Sequence, residues 1–180
     1  LPKVSDLVLQ VKLNGEWQKV ESLVSNLGPS MQRGYDKAVS QFSRNLLAIV
    51  KKSLTLGIPP MGGGVTWQPL SPATIERWGQ HPIYNLTGLY SRSVGLYRYK
   101  SRVLIGLPIG TRRSSQKKLT LNQLAMMLEF GSSDGRIPPR PVWAPSLKAA
   151  GGKNKLKQLI LTEIRKELQK YGVRPNQVKW

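Results

Sequence analysis

The sequence predicts an α+β fold: a small antiparallel sheet with a long helix, a short motif helix and a C-terminal helix. Apolar residues recur at steps of three and four from Ser30 to Gly57 and again from Leu156 to Leu168, as in helices that bury one face. Between them, the β-rich stretches Arg92–Tyr99 and Arg102–Leu107 predict a hairpin. The length of 180 residues favours a single domain, 1–180.

The amino-terminal part of the chain predicts a strand followed by a short helix. Apolar residues alternate with others over Leu7–Leu13, and Asn14-Gly15 is a tight-turn signal. The apolar spacing of Val20–Leu27 is helical, and Gly28-Pro29 ends it. We therefore expect the first strand to turn back near Asn14.

The long helix, Ser30 to Gly57, should have about seven turns. Its apolar stripe predicts core packing, although a neighbouring subunit could equally cover such a stripe. The Pro- and Gly-rich stretch Ile58–Gly64 then predicts a loop or hinge. A phosphate-binding loop is not expected there, because no Gly-Lys-Ser/Thr and no helix start follow.

Two shorter helices carry clear start and stop signals. Ser71 can cap a helix with Pro72 in its first turn, and Gly79 should end it after Trp78. Thr120 can likewise cap a helix over Leu121–Phe130, with Gly131 at its carboxyl end.

The prolines of Ile137–Pro141 predict an extended segment, since proline fixes its own φ angle and biases the residue before it. Arg140 lies between two of these prolines. The end of a helix presents unpaired carbonyls and favours a cation. We therefore expect Arg140 to tie the segment to the Leu121–Phe130 helix, through Glu129 or through the free carbonyls of that helix.

The remaining segments are predicted from composition. The stretch at about 108–118 is polar and basic and predicts a surface loop. Lys148–Lys155 predicts a Gly/Lys linker, followed by the last helix, which should end at Tyr171-Gly172. That helix and its tail make up 153–180.

The net charge of +19 is large and unevenly distributed, because no acidic residue lies between Glu76 and Glu129. Such a field indicates an anionic partner, a nucleic acid or an acidic protein ring, although a solubilising basic surface is the alternative.

Cysteine is absent, so disulfides and thiolate metal sites are excluded. No apolar run is long enough to span a membrane and the amino terminus lacks a signal pattern, so we expect a soluble, unsecreted protein.

Catalysis is not expected. The single histidine, His81, has no second histidine or cysteine to complete a metal site, and a turn residue is the favoured interpretation. The acids are scattered, so no carboxylate pair, metal site or cofactor site is predicted. The five tryptophans could stack on bases, but their spacing favours anchoring in cores and interfaces.

Four ordered motifs carry a resemblance to a known family. They are Trp67-Gln-Pro-Leu-Ser-Pro-Ala-Thr-Ile75, Asn85-Leu-Thr-Gly-Leu89, Glu129-Phe-Gly131 and Ile137-Pro-Pro-Arg-Pro141. In this order they resemble the virion morphogenesis (tail completion) family of phage head-to-tail neck proteins. The resemblance covers Trp67 to Pro141 and implies a small α+β subunit.

What the resemblance implies is a structural function in the virion neck, after assembly in the host cytoplasm. The partners would be the chain itself as a ring (a hexamer is favoured over a dodecamer), the adjacent portal, connector and tail proteins, and double-stranded DNA in the channel. Connector, stopper and tail-side ring all stay open. The residues with a structural role in the motifs are Trp67, Leu70, Pro72, Ile75, Gly88, Glu129, Gly131, Pro138, Arg140 and Pro141.

The basic residues of the hairpin and the following loop are expected to face DNA or an acidic neighbouring ring. They are Arg98, Lys100, Arg102, Arg112, Arg113, Lys117 and Lys118. The alternative function is a free, sequence-nonspecific nucleic-acid-binding protein of phage or bacterial origin.

Overall fold

The computed structural model describes residues 28–84, 87–99, 102–108 and 120–170. Within these ranges the chain forms six helices and two strands. They are α1 (Pro29–Leu56), α2 (Pro72–Trp78), α3 (Leu89–Ser93), β1 (Gly95–Tyr99), β2 (Arg102–Gly106), α4 (Leu121–Phe130), α5 (Trp143–Ala149) and α6 (Gly152–Gln169). The α+β class is confirmed, as are the long helix, the motif helix and the C-terminal helix.

The two strands form the predicted antiparallel hairpin, in which Gly95 pairs with Gly106 and Tyr97 with Leu104. The prediction was wrong about where it begins, because Arg92 lies in the last turn of α3 and not in the strand. Gly88 permits this short helix, since its φ of 66° is the left-handed conformation that glycine adopts without strain. Only Val94 separates α3 from β1, so the helix leads directly into the hairpin.

Contacts along the chain define two compact units. The described part of the first unit lies within Leu46–Ala150, and that of the second comprises 28–45 and 151–170. In the first unit, the buried apolar side chains come from α1, from α3 and the hairpin, and from α4 and α5. They include Leu46, Val50, Leu54, Tyr90, Val94, Ile105, Leu121, Ala125, Val142 and Trp143. The first unit contains all four motifs.

The second unit pairs the first half of α1 with α6. A methyl group at Gly34 would lie 2.8 Å from the backbone N and Cα of Ile164, so this glycine allows the two helices to approach closely. Glycine costs a helix interior about 1 kcal/mol relative to alanine, and the close approach explains its place there.

A buried carboxylate links the same two helices. Glu167 is only 3% exposed, and its oxygens lie 2.6 Å from Lys37 Nζ, 2.7 Å from Lys170 Nζ and 3.7 Å from Arg33 Nε. The hydrogen bonds from Lys170 and Lys37 lower the pKa of Glu167 to about 2, and the carboxylate in turn raises the pKa of Lys37. The helix pair therefore holds three cations around one anion.

The prediction of a Gly/Lys linker over Lys148–Lys155 was wrong. Helix α5 continues to Ala149 and α6 already begins at Gly152. Only Ala150 and Gly151 separate the two helices, and Gly151 has a φ of 91°. The glycines that suggested a flexible stretch instead make one sharp turn between helices.

Several predictions lie outside the described residues. They are the strand Leu7–Leu13 with its turn, the helix Val20–Leu27, the basic loop after Pro108 and the tail 173–180. The single domain over 1–180 stays a prediction. No helix in the described part of the chain combines the length and the apolar character needed to cross a membrane.

Candidate functional site

The indole of Trp67 connects the first motif to the last. Its Nε1–H donates to the backbone carbonyl of Pro141 over 3.1 Å, and its ring lies 5.2 Å from that of Tyr84, centroid to centroid. The side chain is half-buried, as are Leu70 and Ile75 in the same motif. These three residues thus lie at the edge of the first unit rather than at its centre.

Arg140 is the most buried cation among the described residues, with only 6% exposed. Its Nε donates to the carbonyl of Gln68 and its Nη2 to the carbonyl of Pro69, both over 3.1 Å. Burial lowers the pKa of the Arg140 guanidinium. The planar guanidinium can bind two successive carbonyls at once, and a lysine ammonium cannot reproduce this arrangement.

The predicted partner of the Arg140 side chain was therefore wrong, because neither Glu129 nor a free carbonyl of the helix binds it. The expected connection to the helix exists, but the backbone makes it: the N–H of Arg140 donates to the carbonyl of Leu128 over 2.7 Å. The reason is geometric. The guanidinium points across the first unit towards the first motif, where an extended chain presents two unpaired carbonyls.

Tyr84 also binds the extended segment Ile137–Pro141. Its hydroxyl donates to the backbone carbonyl of Arg140, and its ring stacks on Tyr90 with centroids 5.4 Å apart. Burial raises the pKa of both hydroxyls, so Tyr84 stays protonated and remains a donor. Its φ of 70° is unusual for a residue with a side chain and indicates that this packing constrains the backbone.

Glu129, at the end of α4, caps α5. Its carboxylate accepts from the N–H of Val142 over 2.7 Å and from that of Trp143 over 3.3 Å, at the point where α5 begins. The side chain is 8% exposed. Burial raises the pKa of Glu129, and the two backbone hydrogen bonds oppose part of this shift. One carboxylate thereby joins the third motif to the residues that follow the fourth.

The other motif residues shape the backbone around these contacts. Pro72 opens α2 behind its cap Ser71, and Gly88 precedes α3. Gly131 has a φ of 82°, and a methyl group there would lie 3.0 Å from the carbonyl oxygen of Ile137. Pro138 and Pro141 are half-buried in the extended segment. We name the set Trp67, Tyr84, Glu129 and Arg140, with the backbone groups they bind, the motif network.

Sequence reasoning identified three of the four side chains in the motif network and missed Tyr84. No turn or cap signal marks Tyr84, and its position directly before the second motif was the only available indication. Each polar side chain of the network binds backbone groups, so the arrangement holds chain segments together.

The structure describes few of the basic residues predicted to face DNA or a neighbouring ring. Arg98 lies on β1 with an exposed side chain, and the backbone of Arg102 opens β2. The others lie outside the described residues: Lys100, Arg112, Arg113, Lys117 and Lys118. Their role stays a prediction.

Comparison with known proteins found no match: no family model matches the sequence, and no curated protein or solved structure is significantly similar to the chain. The likeness to phage neck proteins therefore rests on the four motifs.

The raised pKa of Glu129 predicts a pH-dependent stability. Because burial favours the protonated form, the contribution of this carboxyl group to stability is fully present below its ordinary pKa, 4.5, and is lost as the pH rises through the raised folded pKa. Glu129→Gln removes this titration. It should also cost about 1–2 kcal/mol at low pH, since the amide puts an NH2 group, which cannot accept a backbone N–H, where the carboxyl group has its second oxygen.

The measurement is the free energy of unfolding of both proteins in pH steps from about 4 to 8. The advantage of the wild type over Glu129→Gln should shrink as the pH rises. Glu76→Gln, at an exposed position on α2, is the control. Curves that stay parallel over the whole range would contradict the prediction.

Proposed function

We propose that this chain is a structural neck protein of a tailed bacteriophage. It forms a ring at the head-to-tail junction, as a connector or tail completion protein, and helps to join the tail to the DNA-filled head. Its role is structural rather than enzymatic. It assembles in the host cytoplasm and resides in the virion neck.

The observation that carries the proposal is the convergence of the motifs. Residues of the first, third and fourth motifs meet in the motif network, and Tyr84 lies next to the second. These motifs are far apart in sequence, but hydrogen bonds join them into one arrangement in the fold. Coincidental sequence matches would not be expected to meet in this way. This convergence supports the use of the first, third and fourth motifs as parts of a single signature.

The charge is consistent with the same role. A ring, in which one subunit pattern repeats around an axis, would multiply the +19 of each chain into a strongly positive annulus. Such an annulus can bind the phosphate backbone of DNA without reading its sequence. We propose a hexamer as the first choice and a dodecamer as the second, with the portal or connector and the tail proteins as neighbours.

The second candidate is a free nucleic-acid-binding protein that uses the same charges as a monomer. The exposed cations of α6 favour it, among them Lys155, Lys157 and Arg165. Electrostatic binding of this kind needs neither a ring nor a recognition motif.

The mass of the purified protein in solution, with and without a DNA duplex, distinguishes the two functions. We expect a closed oligomer of about six or twelve chains whose formation does not require DNA. A protein that stays monomeric at every concentration and shifts DNA as a monomer would contradict the neck proposal. The genes beside this one provide a second test, because portal, capsid and tail-tube reading frames are expected there.

A further inference from the structure

An open apolar groove of about 330 Å³ lies in the first unit, between α2 and α4. Thr74 and Trp78 line it from α2, Thr87 from the segment that follows, and Leu121, Leu124 and Leu128 from α4. The lining is largely aliphatic and aromatic, as in sites that accept an apolar side chain.

Trp78 stands at the edge of this α2–α4 groove with 52% of its surface exposed. A large aromatic residue exposed beside an apolar depression indicates a binding surface, because the depression leaves apolar area in contact with water. Tryptophan is also among the residues that most often anchor protein interfaces.

The rim of the groove is cationic. The guanidinium carbon of Arg77 lies 5.4 Å from the centroid of the Trp78 ring. Nη2 of Arg92 donates to the carbonyl of Thr87, which lines the groove. Both arginine side chains are exposed.

No acid is found among the described lining residues, and the nearest acids along the chain are directed elsewhere. Glu76 is two positions from both Thr74 and Trp78, which places it on the opposite face of α2. The carboxylate of Glu129 is occupied by the N–H groups that open α5, and that of Asp134, three positions from the lining residue Ile137, is paired with Arg136 over 3.3 Å. The field at the rim is therefore positive.

We propose that the α2–α4 groove binds an acidic segment of a partner protein, with one bulky apolar side chain in the groove and carboxylates on Arg77 and Arg92. Charge complementarity selects this occupant. A second copy of the chain would bring a net charge of +19 to a positive rim. A nucleic acid would present phosphates but gain little from an aliphatic lining, since bases prefer aromatic platforms.

The proposal goes beyond the neck function and does not depend on it, because it uses only the shape and charge of one subunit. The groove also accounts for the exposure of Trp78, which stability alone does not require. Helix α2 buries none of its own residues, and it holds Trp78 half-exposed beside the guanidinium of Arg77.

The probe is an end-blocked peptide of about ten residues, made of glutamate and serine with one central leucine and a fluorescent label. Its binding to the full chain is followed by fluorescence anisotropy at low salt, where exposed charges are least screened. A peptide with serine in place of the leucine tests the apolar anchor. We expect this change to weaken binding at least about tenfold, as burial of a leucine side chain implies.

The variant is the double charge reversal Arg77→Glu with Arg92→Glu, and the matched control is Lys52→Glu with Lys148→Glu. The control pair is exposed, lies in the same unit outside the groove lining and changes the net charge equally. We expect at least about a tenfold loss of affinity in the groove variant and less than about threefold in the control. Trp78→Ala should weaken binding without charge reversal, and far-UV circular dichroism checks that every variant is folded.

Equal losses in the two charge variants would overturn the proposal, since the peptide would then sense only the overall field. So would equal binding of the leucine and serine peptides, or no binding at millimolar peptide. A DNA duplex that loses as much affinity as the peptide in the groove variant, and little in the control, would assign the groove to nucleic acid instead. None of these outcomes affects the neck proposal, which the mass of the assembled protein tests.

Discussion

Arg140→Ala is expected to destabilise the first unit by about 3 kcal/mol. The change removes two hydrogen bonds from a charged donor to the carbonyls of Gln68 and Pro69, and a hydrogen bond to a charged group contributes about 1.5–3 kcal/mol. It also opens a cavity where the buried side chain lay, which adds to the loss. Removing a buried charge offsets part of this cost, since burial disfavours the ionised guanidinium.

Two further substitutions at this position separate these contributions. Arg140→Met keeps most of the side-chain volume but donates no hydrogen bond. It should therefore cost about 2 kcal/mol if the loss of the two hydrogen bonds to the carbonyls accounts for most of the destabilisation. Arg140→Lys keeps the charge without the planar set of donors and should fall between wild type and alanine. Arg136→Ala removes an exposed arginine four positions away and should change stability by less than about 0.5 kcal/mol.

Denaturant unfolding followed by tryptophan fluorescence measures these effects in the relevant unit. Trp67, Trp78 and Trp143 lie in the first unit. Replacing Trp17 and Trp180, which lie outside the described residues, by phenylalanine in every protein compared restricts the fluorescence signal to that unit. If Arg140→Ala unfolds at the wild-type midpoint, Arg140 does not stabilise the fold, and the form of Ile137–Pro141 is due to its prolines alone.

Gly57→Ala should be at least as damaging, with an expected loss of about 3–4 kcal/mol. Gly57 follows α1 with a φ of 66°, and a residue with a side chain costs about 1–2 kcal/mol in that conformation. In addition, the new methyl group would lie 2.3 Å from the backbone N of Ile83 and 2.7 Å from the carbonyl carbon of Pro82. Backbone atoms cannot rotate away, so the segment leading to Tyr84 has to move.

Gly135→Ala isolates the conformational part of this cost. Gly135 has a φ of 71°, but a methyl group there would meet nothing within 4 Å. Its loss should be about 1–2 kcal/mol, and the excess at Gly57 measures the collision with Pro82 and Ile83. Equal losses at the two glycines would show that the segment yields freely and that its packing is loose.

Helix start and stop signals in the sequence were reliable where the capping residue and the group it binds lie within a few residues of each other. Ser71 caps α2 by accepting from the N–H of Thr74, and Thr120 forms a reciprocal capping box with Gln123. Both helices begin and end as predicted, at Pro72–Trp78 and Leu121–Phe130. A cap within three residues of its target can be read from sequence, since its geometry does not depend on the rest of the fold.

Helix α5 was missed because its cap comes from elsewhere in the chain. Val142 provides no side-chain cap, and Glu129, thirteen residues earlier, takes that role. The partners of Arg140 were missed for the same reason, since they lie 71 and 72 residues away in sequence. The motifs indicated which side chains matter in the site, but pairing across such distances is a property of the tertiary fold.

Acid should act on the two units in opposite senses, as a consequence of how Glu167 is buried. Its lowered pKa means that its contribution to stability is present above the ordinary value of 4.5 and is lost as the pH falls towards about 2. Protonation then leaves Arg33, Lys37 and Lys170 repelling one another around a neutral acid. In the first unit, protonation instead relieves a buried charge at Glu129. We therefore expect acid unfolding to lose its all-or-none character and to begin at the helix pair that Glu167 joins.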